Sequence, residues 1–347
     1  MNKTVRLSNF ELLRIIAMAM IVLLHCNYWM IGSVGTIDVA ENPSGSFWRI
    51  LAQQICIVGA NVFVMISGWF GINAKVKGGS NFLYQVVYHS LAVLLVAWLV
   101  GLDISKAQII QSLSLGSWNW FVPCYLGLYI LSPVLNAYVN NVSVKTQGKL
   151  LLCFLVFEAL YGWILKPNYF SGGYSIISFI GLYLLARYLR LREENINQHS
   201  ALKYFLGYLI IIILPAWVSF LGLKLTGHGF FFVAYSSPIV IIASVLLFLC
   251  FSRIKINICE KIINWGASSM FAVIMIHVHP IIAPYFRSFM IGVYTNDGIV
   301  KYTFVAVAVT IIILVISVLL DQPRKYTWNK IWEGCLHPFL SKRKLTD

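Results

Sequence analysis

The sequence predicts an all-α integral membrane protein with about ten transmembrane helices and both termini in the cytoplasm. Hydrophobic residues make up 59% of the 347 positions, charged residues make up only 11%, and the mean hydropathy is +0.80. A soluble domain cannot bury so much apolar surface, so the chain is expected to cross a bilayer several times. The net charge of +14 comes from basic residues between the apolar runs. This distribution indicates membrane topology and predicts no nucleic-acid partner.

Apolar runs recur along the whole chain, and a helix needs about 20 such residues to span the hydrocarbon core. The predicted spans are 10–31, 48–70, 82–101, 119–139, 149–166, 173–190, 204–224, 230–252, 266–287 and 300–320. Of the 26 Lys and Arg residues, nineteen fall on the side of the N-terminus, six on the opposite side and one inside the first span. Because cytoplasmic loops carry the excess of basic residues, both termini are predicted to be cytoplasmic.

The chain is predicted to form one transmembrane domain, residues 5–325, followed by a short basic cytoplasmic tail, residues 326–347. The first span has no small-residue cleavage site and is interpreted as a retained helix. Trp328 and Trp332 lie four residues apart in the tail, a spacing typical of an amphipathic helix at the membrane interface. The seven cysteines contain no CxxC pair, so they predict neither a disulfide framework nor a metal cluster.

The first span carries two basic side chains, Arg14 and His25. Eleven residues make close to three helical turns, so the two side chains share one face, roughly 16 Å apart along the axis. Glu11, three residues before Arg14, lies on that face and is expected to pair with the guanidinium. Two simpler interpretations are that Arg14 snorkels to the near interface and that His25 packs against a neighbouring helix. Their common face favours a polar cavity, with Arg14 toward the cytoplasm and His25 toward the outer surface.

The second and fourth spans contain further polar and aromatic residues. Asn61 and Ser67 lie in the segment GANVFVMISGWF of the second span. Small residues that hold helices together and an aromatic belt would explain this segment without any chemistry. Trp120 begins the fourth span, where it is expected to anchor the outer interface. Pro123 and Pro133 interrupt that helix, and irregular backbone at membrane depth is tolerated where it lines a cavity.

Three histidines and one glutamate inside predicted spans are further candidates. His277 and His279 are about 200° apart around a helix, so they do not bind one metal from a regular helical face. One of the two is expected to face the cavity. His89 and Glu158 are functional candidates by their membrane depth alone, without an assignable partner. The sequence contains no phosphate loop and no GxGxxG, HExxH or GxSxG segment, and it predicts no metal site.

The segments that contain these residues resemble the acyltransferase-3 family of integral membrane acyltransferases. The first span is similar to the family's Arg-x10-His signature, and GANVFVMISGWF is similar to its Phe-Phe-x-x-Ser-Gly-Phe block, with Asn61 where Asp is common. Four further segments resemble family blocks in the expected order, and one of them places a histidine at His277: WFVPCYLGLYILSPVLN, GLYLLARYLR, MFAVIMIHVHPII and DQPRKY. The resemblance is to the surface-glycan O-acetyltransferase type without a fused extracytoplasmic hydrolase-like domain.

This resemblance implies transfer of an acyl group, usually acetyl, from cytoplasmic acyl-CoA to a hydroxyl of a surface polysaccharide or its polyprenyl-linked precursor. Acetyl-CoA is then a substrate, no cofactor is bound, and the protein belongs in the bacterial cytoplasmic membrane. His25 is expected to be the general base, because imidazole exchanges protons near neutral pH. Arg14, with Lys75 and Lys77, is expected to hold the donor phosphates or to polarise the thioester carbonyl.

Several points of the chemistry stay open at this stage. The Arg-x-x-Arg pair that many family members carry after the second span is not evident, and Lys75 and Lys77 stand nearby, so the cations that meet the donor are undecided. Direct transfer is favoured over an acyl-enzyme on Ser67 or Cys26. The carboxylate that would orient His25 is left open among Asp38, Glu41, Glu158 and Asp321.

Two other functions fit the same features. A transporter or flippase for a lipid-linked sugar or a small anion also needs buried ionisable groups and broken helices. Such a protein would not consume acyl-CoA. A structural subunit of a glycan-assembly complex would tolerate substitution of its intramembrane polar residues. The sequence leaves the oligomeric state open, a homo-oligomer included, because lipid-facing and subunit-facing surfaces are both apolar.

Overall fold

The structure is a computed structural model that describes residues 7–342 except 169, 197, 230 and 231. The regular elements in these residues are all helical. The first eight α-helices are α1 (Ser8–Leu24), α2 (Thr36–Glu41), α3 (Pro43–Cys56), α4 (Gly59–Phe70), α5 (Val76–Leu99), α6 (Lys106–Ser112), α7 (Phe121–Asn141) and α8 (Val144–Phe157). The other eight are α9 (Ile176–Leu191), α10 (Glu193–Ile196), α11 (Ala201–Thr226), α12 (Pro238–Ser252), α13 (Glu260–Ala267), α14 (Met270–His277), α15 (Ile282–Ile331) and α16 (His337–Lys342). Three π-helices occupy His25–Met30, Glu158–Leu165 and Trp332–Leu336.

Seven helical segments in the described residues are long and apolar enough to cross a membrane. They are Ser8–Met30, Pro43–Phe70, Val76–Leu99, Phe121–Asn141, Val144–Leu165, Ala201–Thr226 and Ile282–Ser341. These segments confirm the predicted all-α membrane protein, whereas ten crossings and cytoplasmic termini stay predictions. Part of the charge argument rests on residues outside the described ones: Lys3, Arg6, Arg343 and Lys344. Below, the end of the bundle with Ser8 and Phe70 is called the inner end, and the end with His25 is called the outer end.

The first helix, α1, lies in the centre of the bundle. It packs against α3, α4, α12, α13, α14 and α15, and Leu13, Ala17 and Val22 are fully buried. At Gly59 a Cβ atom would lie only 2.6 Å from the carbonyl oxygen of Ala17, so a glycine is needed for α4 to approach so closely. The face of α1 that carries Arg14 and His25 is therefore enclosed by other helices.

On its other side, α4 packs against α9. A Cβ atom at Gly68 would lie 2.7 Å from the carbonyl oxygen of Tyr183, so this contact also depends on a glycine. Trp69 is 2% exposed and packs against Phe10 of α1 and Phe248 of α12, with ring centroids 5.7 and 5.3 Å away. The second predicted span is thus fixed between the first and the sixth.

The ninth predicted span, 266–287, is not one continuous helix. It comprises α13, α14 and the first turns of α15, and the chain breaks after His277. Pro280 has no N–H group to continue a helical ladder. His279, which is fully buried, accepts from the N–H of Ile281 at 3.3 Å through Nδ1, and its carbonyl accepts from Ile282 at 2.9 Å. His279 therefore caps the start of α15.

The last helix continues from the tenth predicted span into the predicted tail. In α15 the backbone is non-helical only at Gly298, with φ 74° and ψ 170°, which divides the helix into two segments. Trp328 and Trp332 are 5% and 7% exposed, and Trp328 packs against Tyr84 with ring centroids 5.4 Å apart. The expectation that these two tryptophans form an interfacial face is wrong, because α15 packs them against the bundle.

Candidate active site

His25 and His277 form a pair near the outer end of the bundle. Nδ1 of His25 lies 2.8 Å from Nε2 of His277, although 252 positions separate the residues in the chain. His25 begins the π-helix that follows α1, and His277 is the last residue of α14. His277 is 1% exposed, whereas His25 is half-buried and lines a cavity. The structure thus places one of the two candidate histidines of the ninth span directly behind His25.

Hydrogen-bond partners fix the tautomer of both rings. Nδ1 of His277 lies 2.6 Å from the carbonyl oxygen of Val273, and because a carbonyl only accepts, this nitrogen carries the proton. In a neutral ring Nε2 of His277 is then an acceptor, so Nδ1–H of His25 donates to it. The other ring nitrogen of His25, Nε2, is left without a proton. The pair therefore offers one basic nitrogen to a ligand in the cavity.

The cavity beside His25 has a volume of about 490 Å³. Seven aromatic side chains line it: Tyr28, Trp29, Trp118, Trp120, Phe121, Tyr174 and Tyr235. Trp120 contacts Tyr174 and Tyr235, with ring centroids 4.6 and 5.4 Å away. Gln53 and Lys166 add polar groups, and none of the described residues that line the cavity is acidic. Such a wall suits a ligand that has apolar faces and a few hydrogen-bonding groups.

Asn61 lies behind the cavity wall. It is 2% exposed, and its Nδ2 donates to the carbonyl oxygen of Tyr235 over 2.9 Å. This bond ties α4 to the segment before α12, which supplies Tyr235 to the cavity. Asn61, predicted as a supporting or substrate-binding residue, therefore occupies a position that supports the wall.

The backbone that follows His25 is held by side chains that sequence reasoning did not select. Tyr302 Oη donates to the carbonyl oxygen of Cys26 over 2.6 Å. Arg49 is 3% exposed, and its Nη2 donates to the carbonyl oxygen of Gly32 over 2.7 Å. Nδ2 of Asn27 donates to the carbonyl oxygen of Arg49 over 2.7 Å. The only signal for Arg49 in the sequence is a cation at the start of an apolar span. These contacts fix the direction in which the His25 ring projects.

Arg14 lies deeper in the bundle, toward the inner end. Its Nη1 is 3.6 Å from Oε2 of Glu11, as the spacing predicts, and 27% of its side chain is exposed. The guanidinium lies 5.9 Å from the ring centroid of Phe63 on α4. Arg14 is not among the residues that line the His25 cavity. Because the two groups are roughly 16 Å apart along α1, Arg14 is badly placed to polarise a carbonyl that is attacked beside His25.

Positions four apart on α4 continue from Arg14 toward the inner end. We call Gly59, Phe63, Ser67 and the C-cap Gly71 the α4 face, since residues with this spacing lie above one another on a helix. Ser67 Oγ lies 3.1 Å from Oη of Tyr125, and both residues are half-buried. The α4 face thus leads from α1 beside the cavity, past Arg14, to the inner surface.

The cation nearest the end of this face was not selected from the sequence. Lys77 places its Nζ 5.3 Å from the ring of Trp332, which directs it toward the end of α15, and Lys75 is exposed. Arg187 of α9, in contrast, lies directly beside Gly71. Arg187 was counted among the topology charges, and its position in the apolar segment GLYLLARYLR was the available signal.

None of the four carboxylates left open by the sequence orients His25, because His277 occupies that position. Asp321 is fully buried and binds His89 at 3.2 Å and Arg324 at 2.8 Å. Asp38 lies 3.7 Å from Arg49. Glu158 is 2% exposed at the start of the second π-helix, and neither it nor Glu41 lines the His25 cavity.

The two candidate nucleophiles are separated from the cavity as well. Cys26 is fully buried and lines a different, apolar pocket against α3 and α15. Ser67 faces Tyr125, and neither Ser67 nor Cys26 lines the cavity beside His25. Neither residue is therefore placed to attack a ligand held in that cavity.

Comparison with known proteins places the chain in a family. Residues 7–321 match the family model of the acyltransferase-3 group, which is described as an acyltransferase domain. No curated protein and no solved structure matches the chain. The matched range begins just before α1 and ends at Asp321, so it contains the His25–His277 pair, the cavity and the α4 face. The chain therefore belongs to the acyltransferase-3 family of membrane acyltransferases.

Proposed function

We propose that this protein transfers an acyl group, acetyl in the first instance, from cytoplasmic acyl-CoA to a hydroxyl of a cell-surface polysaccharide or its lipid-linked precursor in the bacterial cytoplasmic membrane. One observation carries the proposal. Nε2 of His25 is unprotonated at a cavity, while His277 holds the opposite nitrogen of the ring. A positioned base beside a hydroxyl is the requirement for general-base catalysis of acyl transfer.

The reaction needs no group beyond the two substrates and His25. Nε2 of His25 takes the proton of the acceptor hydroxyl while its oxygen attacks the thioester carbonyl carbon. The new C–O bond forms, the C–S bond breaks, and His25 returns the proton to the departing thiolate as the coenzyme A thiol. Between these steps the imidazolium keeps its Nδ1–H bond to the lone pair of His277, which stabilises the added charge.

The aromatic wall supports a sugar as the acceptor. A pyranose ring has apolar C–H faces and polar edges, and Trp120 and Trp29 offer flat surfaces to such faces. Gln53 and Lys166 offer hydrogen-bonding groups to its hydroxyls. The absence of a carboxylate among the described lining residues also suits an acceptor that carries negative charge.

The position of Arg14 supports a donor that approaches from the inner end. Arg14 lies between the inner end and the cavity, and a fixed cation at this depth attracts the phosphates of acyl-CoA. Glu11 holds the guanidinium in place from the first turn of α1. Donor and acceptor then meet at His25 from opposite sides of the membrane.

The test measures transfer of label from radiolabelled acetyl-CoA into the glycan fraction of membranes that contain the wild type, His25→Ala or His199→Ala. His199 lies in the described part of the chain, is exposed and does not line the cavity, so its replacement is the matched control. We expect label with the wild type and the control, and a rate lower by roughly 10²–10⁴-fold with His25→Ala. Equal transfer by His25→Ala that is correctly inserted would exclude His25 as the base. If acetyl-CoA is never consumed while a lipid-linked sugar crosses the membrane, the transporter alternative is correct.

A further inference from the structure

Arg187 lies at the inner end of the α4 face, and the inference drawn from it rests on the proposed acyl-CoA donor. It stands on α9 one turn after Tyr183. Its Nη1 is 3.1 Å from the position that a Cβ atom would take at Gly71. Gly71 has φ +76°, a backbone conformation that favours glycine. The absence of a side chain at Gly71 therefore leaves room for the Arg187 guanidinium at the C-terminal end of α4.

The polar groups around Arg187 are already engaged with one another. Tyr183 Oη donates to Oδ1 of Asn136 over 2.6 Å and accepts from the N–H of Ile72 at 3.0 Å. Asn136 Nδ2 donates to the carbonyl oxygen of Ile72 over 2.9 Å. This closed set fixes the segment that follows Gly71. None of these three residues is hydrogen-bonded to the neighbouring guanidinium.

Arg187 itself lacks a counter-ion in the described part of the chain. It is half-buried, its Nε is shielded from solvent without a hydrogen-bond acceptor, and no described carboxylate pairs with it. Arg190, one turn later on α9, differs in this respect, because its Nη1 lies 2.7 Å from Glu193. Shielding one guanidinium nitrogen from water without an acceptor is unfavourable. An arginine in this state is suited to an anion that arrives from outside the chain.

The position of Arg187 matches one end of an extended donor. Gly71 lies eight residues from Phe63 on α4, about 12 Å at ~1.5 Å per residue, and Phe63 contacts Arg14. Arg187, Arg14 and His25 therefore follow one another from the inner surface to the cavity. A donor that enters from the inner surface would meet Arg187 first, then Arg14, and His25 last.

We propose that Arg187 binds a phosphate group of acyl-CoA and holds the nucleotide end of the donor at the inner end of the α4 face. The planar guanidinium can donate two parallel hydrogen bonds to phosphate oxygens. The nucleotide of coenzyme A offers two sources of such oxygens, the 3′-phosphate and the diphosphate. The site would take either, and donor analogues distinguish them.

The experiment compares three donors with the wild type and Arg187→Gln in membranes: acetyl-CoA, acetyl-dephospho-CoA and acetyl-pantetheine. Loss of a charge-assisted hydrogen bond is expected to raise KM for acetyl-CoA by roughly 10- to 100-fold, with kcat little changed. Acetyl-pantetheine, which has neither phosphate group, should give the same KM with both proteins. If the KM for acetyl-dephospho-CoA is also the same for the wild type and Arg187→Gln, Arg187 binds the 3′-phosphate. If its KM rises with Arg187→Gln, Arg187 binds the diphosphate.

The control is Arg192→Gln, since the Arg192 guanidinium stands at the same end of α9 but lies 5.0 Å over the Tyr188 ring. It should leave all three KM values unchanged, and Arg187→Lys should recover part of the loss. Equal losses with all three donors would overturn the proposal, because a folding defect does not distinguish phosphates.

Binding of labelled coenzyme A to the detergent-solubilised protein gives a readout that does not need turnover. Weaker binding by Arg187→Gln supports the phosphate site even if no transfer to glycan is found, in which case the proposed function fails and this site stands. Equal binding by both proteins, or no binding by the wild type, overturns the phosphate site.

Discussion

Tyr302 Oη donates to the carbonyl oxygen of Cys26 over 2.6 Å, so α15 holds the backbone at the residue directly after His25. The bond lies at the start of the π-helix His25–Met30, where the backbone departs from the regular α-helical ladder. Tyr302 is 3% exposed, and its ring packs against Tyr294 with centroids 5.3 Å apart. The direction of the His25 ring thus depends on Tyr302, a residue 276 positions after Cys26 in the sequence.

We predict that Tyr302→Phe lowers kcat for acyl transfer and leaves KM for acetyl-CoA unchanged. The change removes one buried hydrogen bond, of about 0.5–1.5 kcal/mol, and keeps the ring that fills the space. That energy corresponds to a several-fold lower kcat if it is lost from the alignment of His25. Tyr285→Phe, at an exposed position of the same helix, is the control. An unchanged kcat for Tyr302→Phe would mean that the π-helix positions His25 without this bond.

We also predict that the two histidines act as a unit. His277→Ala removes the acceptor of the His25 Nδ1–H bond, and a bond to a charged imidazolium is worth about 1.5–3 kcal/mol, which corresponds to roughly 10- to 100-fold in kcat. In the absence of the His25 ring the same change should have little further effect, because residues that act together are not additive. Rates of the two single variants and the double variant test this. A double variant whose loss equals the product of the single losses would contradict it.

The contact between α4 and α9 predicts a stability effect at Gly68. A Cβ atom there would meet the Tyr183 carbonyl oxygen at 2.7 Å and Ala186 Cβ at 2.8 Å, and neither atom belongs to a flexible side chain. Gly68→Ala is therefore expected to destabilise the protein by about 1–3 kcal/mol through overpacking. Gly292→Ala is the matched control, since nothing lies within 4 Å of that Cβ position. Thermal unfolding in detergent measures the Tm of both variants. If Gly68→Ala has the same Tm as the wild type, α4 and α9 can move apart without loss of stability.

The architecture followed from the sequence because membrane spans are set by composition over about 20 residues. The relation between Arg14 and His25 was also accessible, since helical spacing alone puts them on one face. The partner of His25 could not be predicted in this way. His277 lies 252 positions later in the chain, and helical spacing does not predict contacts between helices. A carboxylate was the natural expectation for that place. The structure has a neutral imidazole there, fixed by a backbone carbonyl.

The same limit applies to the charged groups. His89 had no assignable partner in the sequence, yet it lies 3.2 Å from Asp321 across 232 positions. Lys77 was selected for its place after the second span, but its ammonium faces Trp332. The sequence did not distinguish Arg187 from the basic residues that indicate topology. A basic residue at the end of a span gives the same sequence pattern whether its side chain contacts lipid phosphates or a substrate.

The π-helix at His25–Met30 gives the first span an unusual sensitivity to length. A π-helix corresponds to one residue more than an α-helix with the same ends. Deletion of a single residue after His25 would restore the α-helical ladder and leave Arg14, His25 and everything before them in place. Because the two ends coincide, the residues beyond Met30 would keep their positions, and only the residues inside the segment, Tyr28 and Trp29 among them, would shift relative to the cavity. One extra residue in this segment, rather than any particular side chain, thus sets how Tyr28 and Trp29 meet the cavity.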